Sequence, residues 1–365
     1  MDAVPIKAAT GAAFGFGNDH RGLFLKQNPT LADVAALAGV SKMTASRALR
    51  GAGEVSSGNV EKVRCAAEEI GYVTNHLATS LSSRTTNLIG VVVPSMSNVV
   101  FAEVLSGISD AIEGTGKRPV FGISNYDERT EYEIVRDMLS WRPCGLIVTG
   151  LEQSPQTRKL LENADIPIAQ IMDVDGEPID INVGLSHGGA GRDMARALIA
   201  SGLRKFAYVG SAVAQDVRAR KRKESFEKAL KENGLALVDE RIDRPFSSVA
   251  LGRQLTHDLL RGNPDIDCIY YSNDDMAAGG LFACSCEGID VPNDLVLAGF
   301  NGLELLDGLP VRLATTRSPR RQIGADATRI LLSAIDKPLD PAEKIKIFRP
   351  EIDLGAWGVQ RAKSA

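Results

Sequence analysis

The chain has 365 residues and is poor in the side chains that most enzyme chemistry uses. It has only four histidines, His20, His76, His187 and His257, and none stands in a triad-like or zinc-binding pattern. Their default is solvent or a satisfied hydrogen bond. The five cysteines (Cys65, Cys144, Cys268, Cys284 and Cys286) are an odd number without metal-ligand spacing, which argues for reduced thiols in a cytoplasm rather than a disulfide framework. Cys284 and Cys286 fall two apart in a helical pattern, where side chains do not face each other. There is no GxSxG elbow, no HExxH and no P-loop. The run GGAG at 188–191 lacks the GxGxxG spacing, and no acidic residue follows at the distance a dinucleotide site needs. An enzyme, a bound metal and a cofactor are therefore not expected. No apolar run approaches about 18 residues, so no membrane helix is expected. Nor is there a large excess of positive charge: the formal net charge is −4, which excludes wholesale coating by nucleic acid but not a local basic contact surface.

What is present is ordinary in bulk, with 44% hydrophobic and 24% charged residues. The length implies two or three domains. Residues 1–28 are rich in Gly and Ala and lack a continuous apolar core, and a disordered extension or tag is expected there, not a signal peptide. The stretch LADVAALAGVSKMTASRALRG, 31–51, then reads as two short helices around a tight turn. Thr30 with Asp33 makes a capping-box-like start. Gly39 supplies a turn residue with positive φ. Val40 plugs between the helices and Ser41 caps the second one, which runs to about Arg50. Ala45, Ala48 and Leu49 face inward, leaving Lys42, Met43, Ser46, Arg47 and Arg50 outward. A helix-turn-helix sets the start of its second helix against major-groove base edges. Lys42 suits a guanine edge and Met43 a thymine methyl, while Ser41, Thr44 and Arg47 suit phosphates. Thr30 and Ser46 complete the candidate DNA-contacting set. Charge adds little to this reading, because Lys42, Arg47, Arg50, Lys62, Arg64 and Arg84 are nearly balanced by Asp33, Glu54, Glu61, Glu68 and Glu69. A generic helical hairpin with a solvated face is the competing interpretation.

A third helix follows, with Val60, Val63, Ala67 and Ile70 on one face and Gly71-Tyr72 at its end. Next come a short polar helix candidate and a Ser/Thr linker. The pattern T-L-x-D-V-A-x-x-A-G-V-S-x-x-T-x-S-R from Thr30 to Arg47, with V-S at 55–56, E-K-V at 61–63, G-Y at 71–72, N at 75 and L-A at 77–78, resembles the LacI/GalR family of bacterial transcription regulators. The resemblance implies that Lys42 and Met43 read bases. It also implies a hinge helix that folds on operator DNA, with Asn75, Ala78 and Leu81 at its contacting positions and Leu81 as an apolar wedge in the minor groove. His76 departs from the basic residue often found at its position.

From Leu88 onward apolar runs at 88–94, 118–124, 145–150, 167–173, 205–211, 267–274 and 295–301 alternate with helical patterns such as 101–114 and 189–202. Nearly unbroken Val/Ile-rich strands of this kind are covered on both faces. The fold class expected is α/β: an all-α helix-turn-helix headpiece followed by a two-lobed, doubly wound parallel-sheet domain like a periplasmic binding protein. The expected domains are a headpiece at 29–74, a hinge helix and linker at 75–87, a two-lobed ligand-binding and dimerisation domain at 88–348, and a C-terminal strand and tail at 349–365. The lobes should divide near 180, and the chain should return to the first lobe near 310.

In such sheets ligands bind at the carboxyl ends of strands. Asp173 ends one strand and could accept from hydroxyls. A metal held by Asp173 and Asp175 is the weaker alternative. Within DVRARKRKESF, 216–226, five cations fill six positions, normally a solvated face. Arg222, four residues before Phe226, is placed in the pocket, and Lys221 and Lys223 in solvent. The resemblance implies ligand contacts at Asn98, Phe101, Arg222 and the pair Asn273–Asp274. It also implies that Asn301 stands where sugar-binding members carry Asp. Arg317, Arg320 and Arg321 are cations that an anionic ligand could use, Arg320 foremost, with a surface cluster as the alternative. The segments GVSKMTASRALR, PSMSNVVFAEVLSGI, SNDDMAAGG, AGFNG and TRSPRRQIG resemble the gluconate-repressor branch. A cytoplasmic homodimeric repressor is thus expected, with operator DNA and a gluconate-like sugar acid as partners. A neutral-sugar effector, a corepressor mode, and a sugar-acid-binding module without a DNA role are the alternatives.

Overall fold

The computed structural model describes residues 28–50, 55–73, 85–211, 215–244, 246–263 and 265–358. The chain divides near residue 82 into two units. In the first, α1 (Leu31–Leu37), α2 (Lys42–Leu49) and α3 (Ser57–Ile70) enclose a small core of Val34, Ala35, Ala45, Ala48, Val63, Ala66 and Ala67. Small residues at these positions let three short helices pack closely. Local bonds fix the ends. Thr30 and Asp33 form a capping box, Ser41 caps Thr44, and Gly39 and Gly71 take φ of 64° and 66°.

The second unit holds two parallel sheets. In chain order its elements are β1 (Leu88–Val93), α4 (Val99–Ile112), β2 (Arg118–Ile123), α5 (Glu128–Ser140), β3 (Gly145–Thr149), α6 (Pro155–Glu162), β4 (Ile168–Asp173), β5 (Ile181–Leu185), α7 (His187–Ala200), β6 (Phe206–Ser211), α8 (Val217–Glu232), β7 (Leu237–Asp243), α9 (Val249–Gly262), β8 (Cys268–Tyr271), α10 (Asp274–Glu287), β9 (Val296–Ala298), β10 (Thr315–Arg317), α11 (Arg320–Asp336), β11 (Ile345–Phe348) and β12 (Glu351–Asp353). The first lobe carries the order β11-β5-β4-β3-β1-β2 and the second β7-β6-β8-β9, every pair parallel. Strands β1, β3, β4, β5, β6 and β8 are buried nearly throughout, with apolar clusters on both faces of each sheet.

All seven apolar runs read from the sequence carry a strand. The lobe division differs from the expectation near 180. β5 still belongs to the first sheet, and the chain crosses after Leu185. It returns between Arg317 and Arg320, where α11 begins to pack on α4, and crosses again after β11 so that β12 pairs antiparallel with β10. The late strand expected over 349–358 is limited to β12, after which 355–358 turn helically.

The GGAG run has a packing role. Gly191 lies on α7 where α8 crosses it, and a Cβ there would stand 2.1 Å from the carbonyl oxygen of Arg222. No side chain fits against backbone at that distance. Gly191→Ala is expected to force α7 from α8 beside Arg222 and to cost about 1–3 kcal/mol, measured as a lower urea midpoint of the second unit.

Candidate functional site

Two separate surfaces carry the residues singled out by the sequence. On the headpiece, Lys42, Met43 and Arg47 are exposed along α2, Met43 by 64%. Ser41 and Thr44 are held by the cap, their hydroxyls 2.8 Å apart, and Ser46 is half-buried. Thr30 is engaged with Asp33, its hydroxyl donating over 2.7 Å. Asn75, Ala78 and Leu81 lie outside the described residues.

In the second unit the strand ends meet at a cavity of about 180 Å³ between the lobes. That volume is below the roughly 300–1,000 Å³ usual for drug-sized ligands and suits one small polar molecule. From the first lobe come Ser95, Ser97, Asn98 and Phe101 after β1, Asn125 and Tyr126 after β2, and Met172 at the end of β4. From the second come His187, Ser211, Asp216, Arg218, Arg222, Phe246, Ser247, Asn273 and Asp275, with Phe300 and Asn301 after β9. Of the candidate ligand residues, Asn98, Phe101, Arg222, Asn273 and Asn301 line the wall together. Asn98 caps α4 through Val100 N, and Asn273 caps α10 through Met276 N while donating to Ser247 Oγ at 2.7 Å.

Arg222 is the centre of the wall. It is 5% exposed and lies 3.9 Å over the Phe300 ring. Nη1 donates to His187 Nδ1 at 2.9 Å and Nη2 to the carbonyl of Ser272 at 2.8 Å. Its Nε is buried without a partner. Among the described residues no carboxylate stands within ion-pair distance of it. Because guanidinium only donates, His187 must accept at Nδ1 and carry its proton on Nε2. Nε2 in turn donates to the carbonyl of Met172 at 2.9 Å, across the lobes. Burial, then the neighbouring Arg222, hold the imidazole well below its ordinary pKa, so it stays neutral. Arg218 lies 5.6 Å over Phe101 and 3.7 Å from Asp216.

Three candidates are elsewhere. Asp173 is fully buried, accepts from Asp175 N at 2.9 Å and from Lys221 Nζ at 2.6 Å, and so joins the lobes instead of lining the cavity. Lys221, expected in solvent, also reaches Glu152 and the carbonyl of Asp175. Lys223, likewise, pairs with Glu227 and Glu240. Asp274 is buried under Leu303 N and Thr315 Oγ1, and burial pushes its carboxyl up to about 6. Arg320 pairs with Glu103 and donates to the carbonyls of Asn301 and Gly302. Arg317 pairs with Asp353 and Asp307, and Arg321 with Asp110. The three arginines are thus matched by acids of the fold, not held for a ligand. Among the described residues no cluster of three metal-ligating side chains occurs, and the cysteines are free, Cys284 buried and Cys286 exposed.

Sequence reasoning missed His187, Tyr126, Arg218, Asp275 and Phe246. His187 follows β5, a strand that the apolar runs did not mark, so only the capping Ser186 before it gave a signal. Tyr126 and Phe246, whose rings are 5.3 Å apart across the lobes, lie in loops with no pattern to mark them.

Comparison with known proteins agrees with this architecture. Residues 30–75 match the model of bacterial regulatory proteins of the lacI family, and residues 195–355 match a periplasmic binding protein-like domain. The chain is 36% identical over 310 residues to the HTH-type transcriptional regulator GntR of Escherichia coli K12, covering 85% of this chain and 93% of that one. It is 38% identical over 308 residues to the regulator of the same name from Pseudomonas aeruginosa, covering 84% and 89%. A crystal structure of a LacI-family transcriptional regulator from Silicibacter pomeroyi superposes with a TM-score of 0.87 at 44% identity, covering 90% of this chain and 98% of that one. A headpiece with an exposed recognition helix and a two-lobed cavity domain, shared over most of the chain with such relatives, place this protein in the LacI family of bacterial regulatory proteins, as a DNA-binding transcription regulator and not an enzyme.

Proposed function

We propose that this regulator is a homodimeric repressor released from a palindromic operator by gluconate or a closely related sugar acid. The observation that carries the effector class is Arg222, a buried guanidinium with an unbonded Nε and no carboxylate partner. An isolated buried charge is strongly disfavoured, and a ligand carboxylate supplies the missing partner in bidentate form. Ser95, Ser97, Asn98, Ser247 and Asn273 supply the donors and acceptors that a polyol chain needs. Similarity to the two GntR regulators supports the same branch. A neutral sugar would leave Arg222 unmatched. In the headpiece, Lys42 and Met43 are proposed as base readers, with Ser41, Thr44 and Arg47 on phosphates. Two copies on a two-fold axis then read two half-sites. Effector closing the lobes and bent operator compete for one dimer, which couples the two sites.

Calorimetric titration tests the effector: gluconate should bind and glucose should not, while binding of glucose alone, or of neither, discards the sugar-acid reading. Arg222→Met should weaken gluconate binding by at least about tenfold, the loss of a charge-assisted hydrogen bond pair, with effector-free operator affinity nearly unchanged. Equal loss of both activities would show that Arg222 only supports the fold. Lys42→Ala should alter base preference at one operator position by about 1–3 kcal/mol in a selection assay and leave gluconate affinity intact. A uniform loss across sequences, with a salt slope smaller by about one, would instead assign Lys42 to a phosphate.

A further inference from the structure

Two aspartates stand side by side at the start of α10, and the fold uses them differently. Asp274 has no exposure, and its two oxygens accept from Leu303 N at 2.8 Å and Thr315 Oγ1 at 2.7 Å. It ties the helix to the segments that follow β9 and β10. Asp275 reaches the cavity wall and is half-buried. Among the described residues nothing donates a hydrogen bond to its carboxylate and no cation pairs with it. Burial raises its pKa above the ordinary carboxylate value. An acid in a first helical turn favours the helix dipole. That effect does not require a partly desolvated carboxylate facing a cavity, and Asp274 already occupies the first position of the turn.

The wall therefore carries two unmatched charges on different helices, Arg222 on α8 and Asp275 on α10. Arg218 is accompanied by Asp216 at 3.7 Å, which leaves Arg222 as the unmatched cation and Asp275 as the unmatched anion. A carboxylate only accepts hydrogen bonds, and from a hydroxyl it does so more strongly than a neutral acceptor. Toward a second carboxylate it is repulsive, and in a partly dry cavity the repulsion is little screened. A molecule with an anionic head and a hydroxyl tail offers a partner to each charge, and one with two anionic ends does not.

We infer that Asp275 is a specificity-determining residue of the effector pocket: it accepts hydrogen bonds from the hydroxyl tail and excludes a second anionic terminus, so that the pocket takes aldonates over aldarates. This rests on the sugar-acid reading of the cavity. D-Gluconate and D-glucarate test it, since they differ only by oxidation of the terminal CH2OH to a carboxylate. The full chain and the variants Asp275→Asn and Asp275→Ser are titrated with each acid by calorimetry at about pH 8, where carboxylates are ionised. The wild type should prefer gluconate by about tenfold or more. Both variants should lose gluconate affinity and lower the gluconate-to-glucarate ratio by about tenfold or more, with melting temperatures close to wild type, because Asp275 bonds nothing in the fold and gives up only its helix-dipole contribution. An unchanged ratio in both variants, a wild-type preference for glucarate, or a large fall in melting temperature overturns the role of Asp275, while gluconate binding by the wild type keeps the sugar-acid reading. Binding of neither acid by the wild type overturns both.

Discussion

The second unit is organised around a guanidinium placed where the fold does not neutralise it. Removing a charge from water costs several kcal/mol even after relaxation, so a buried arginine normally brings an acid with it. This chain follows that rule at Arg320, which is buried and paired with Glu103. It departs from the rule at Arg222, where a neutral histidine, a backbone carbonyl and an aromatic face bear the charge. Those partners orient the group without satisfying it. Arg222 lines the cavity wall, and on the proposed function the favourable energy of pairing is left for a ligand to realise.

Holding such a group requires rigid support, which the neighbouring elements supply. Gly191 lets α7 approach the backbone of Arg222 closely, and Phe226, one turn further along α8, is buried against Tyr270 with ring centroids 4.3 Å apart. His187 is locked in one tautomer because the carbonyl of Met172 on one side and Arg222 on the other leave it no alternative. Protonation of that imidazole would place a second cation against Arg222, which is why burial and Arg222 both act to keep it neutral.

Much of this architecture was legible in the sequence, because the features involved are local. The headpiece follows from caps and small apolar residues at helical spacing, and buried parallel strands follow from unbroken Val/Ile runs. Strands that the periodicity missed had a mixed character. β5 carries a buried Asn182 and a Gly184, β7 alternates charges along an edge, and β11 lies half in solvent. In the cavity, residues that follow strong strands (Asn98, Asn273, Asn301) could be located from their position together with the family resemblance. What position could not decide was the partner of each charge. Asp173, Asp274 and Arg320 look like ligand groups in one dimension and prove to be bonded to Lys221, Thr315 and Glu103, residues 48, 41 and 217 positions away in sequence. An arginine free for a ligand and one matched by a distant acid have the same local sequence, so only the folded chain separates Arg222 from Arg320.

The bonds between the lobes bear on how the cavity can respond. Lys221 joins α8 to Asp173 and Glu152, His187 joins α7 to Met172, and Tyr126 meets Phe246 at the mouth. These contacts hold the two lobes together before any ligand bonds to both. A ligand shifts such an equilibrium only by the difference in its affinity for the two arrangements. Contacts on one lobe alone would bind without shifting anything. The wall meets this requirement because its polar groups are divided: Ser95, Ser97 and Asn98 belong to the first lobe, Arg222, Asn273 and Ser247 to the second. A small molecule polar along its whole length could engage both sets at once. On the proposed function, a ligand that pairs with Arg222 would also lie beside the polar groups of the opposite lobe.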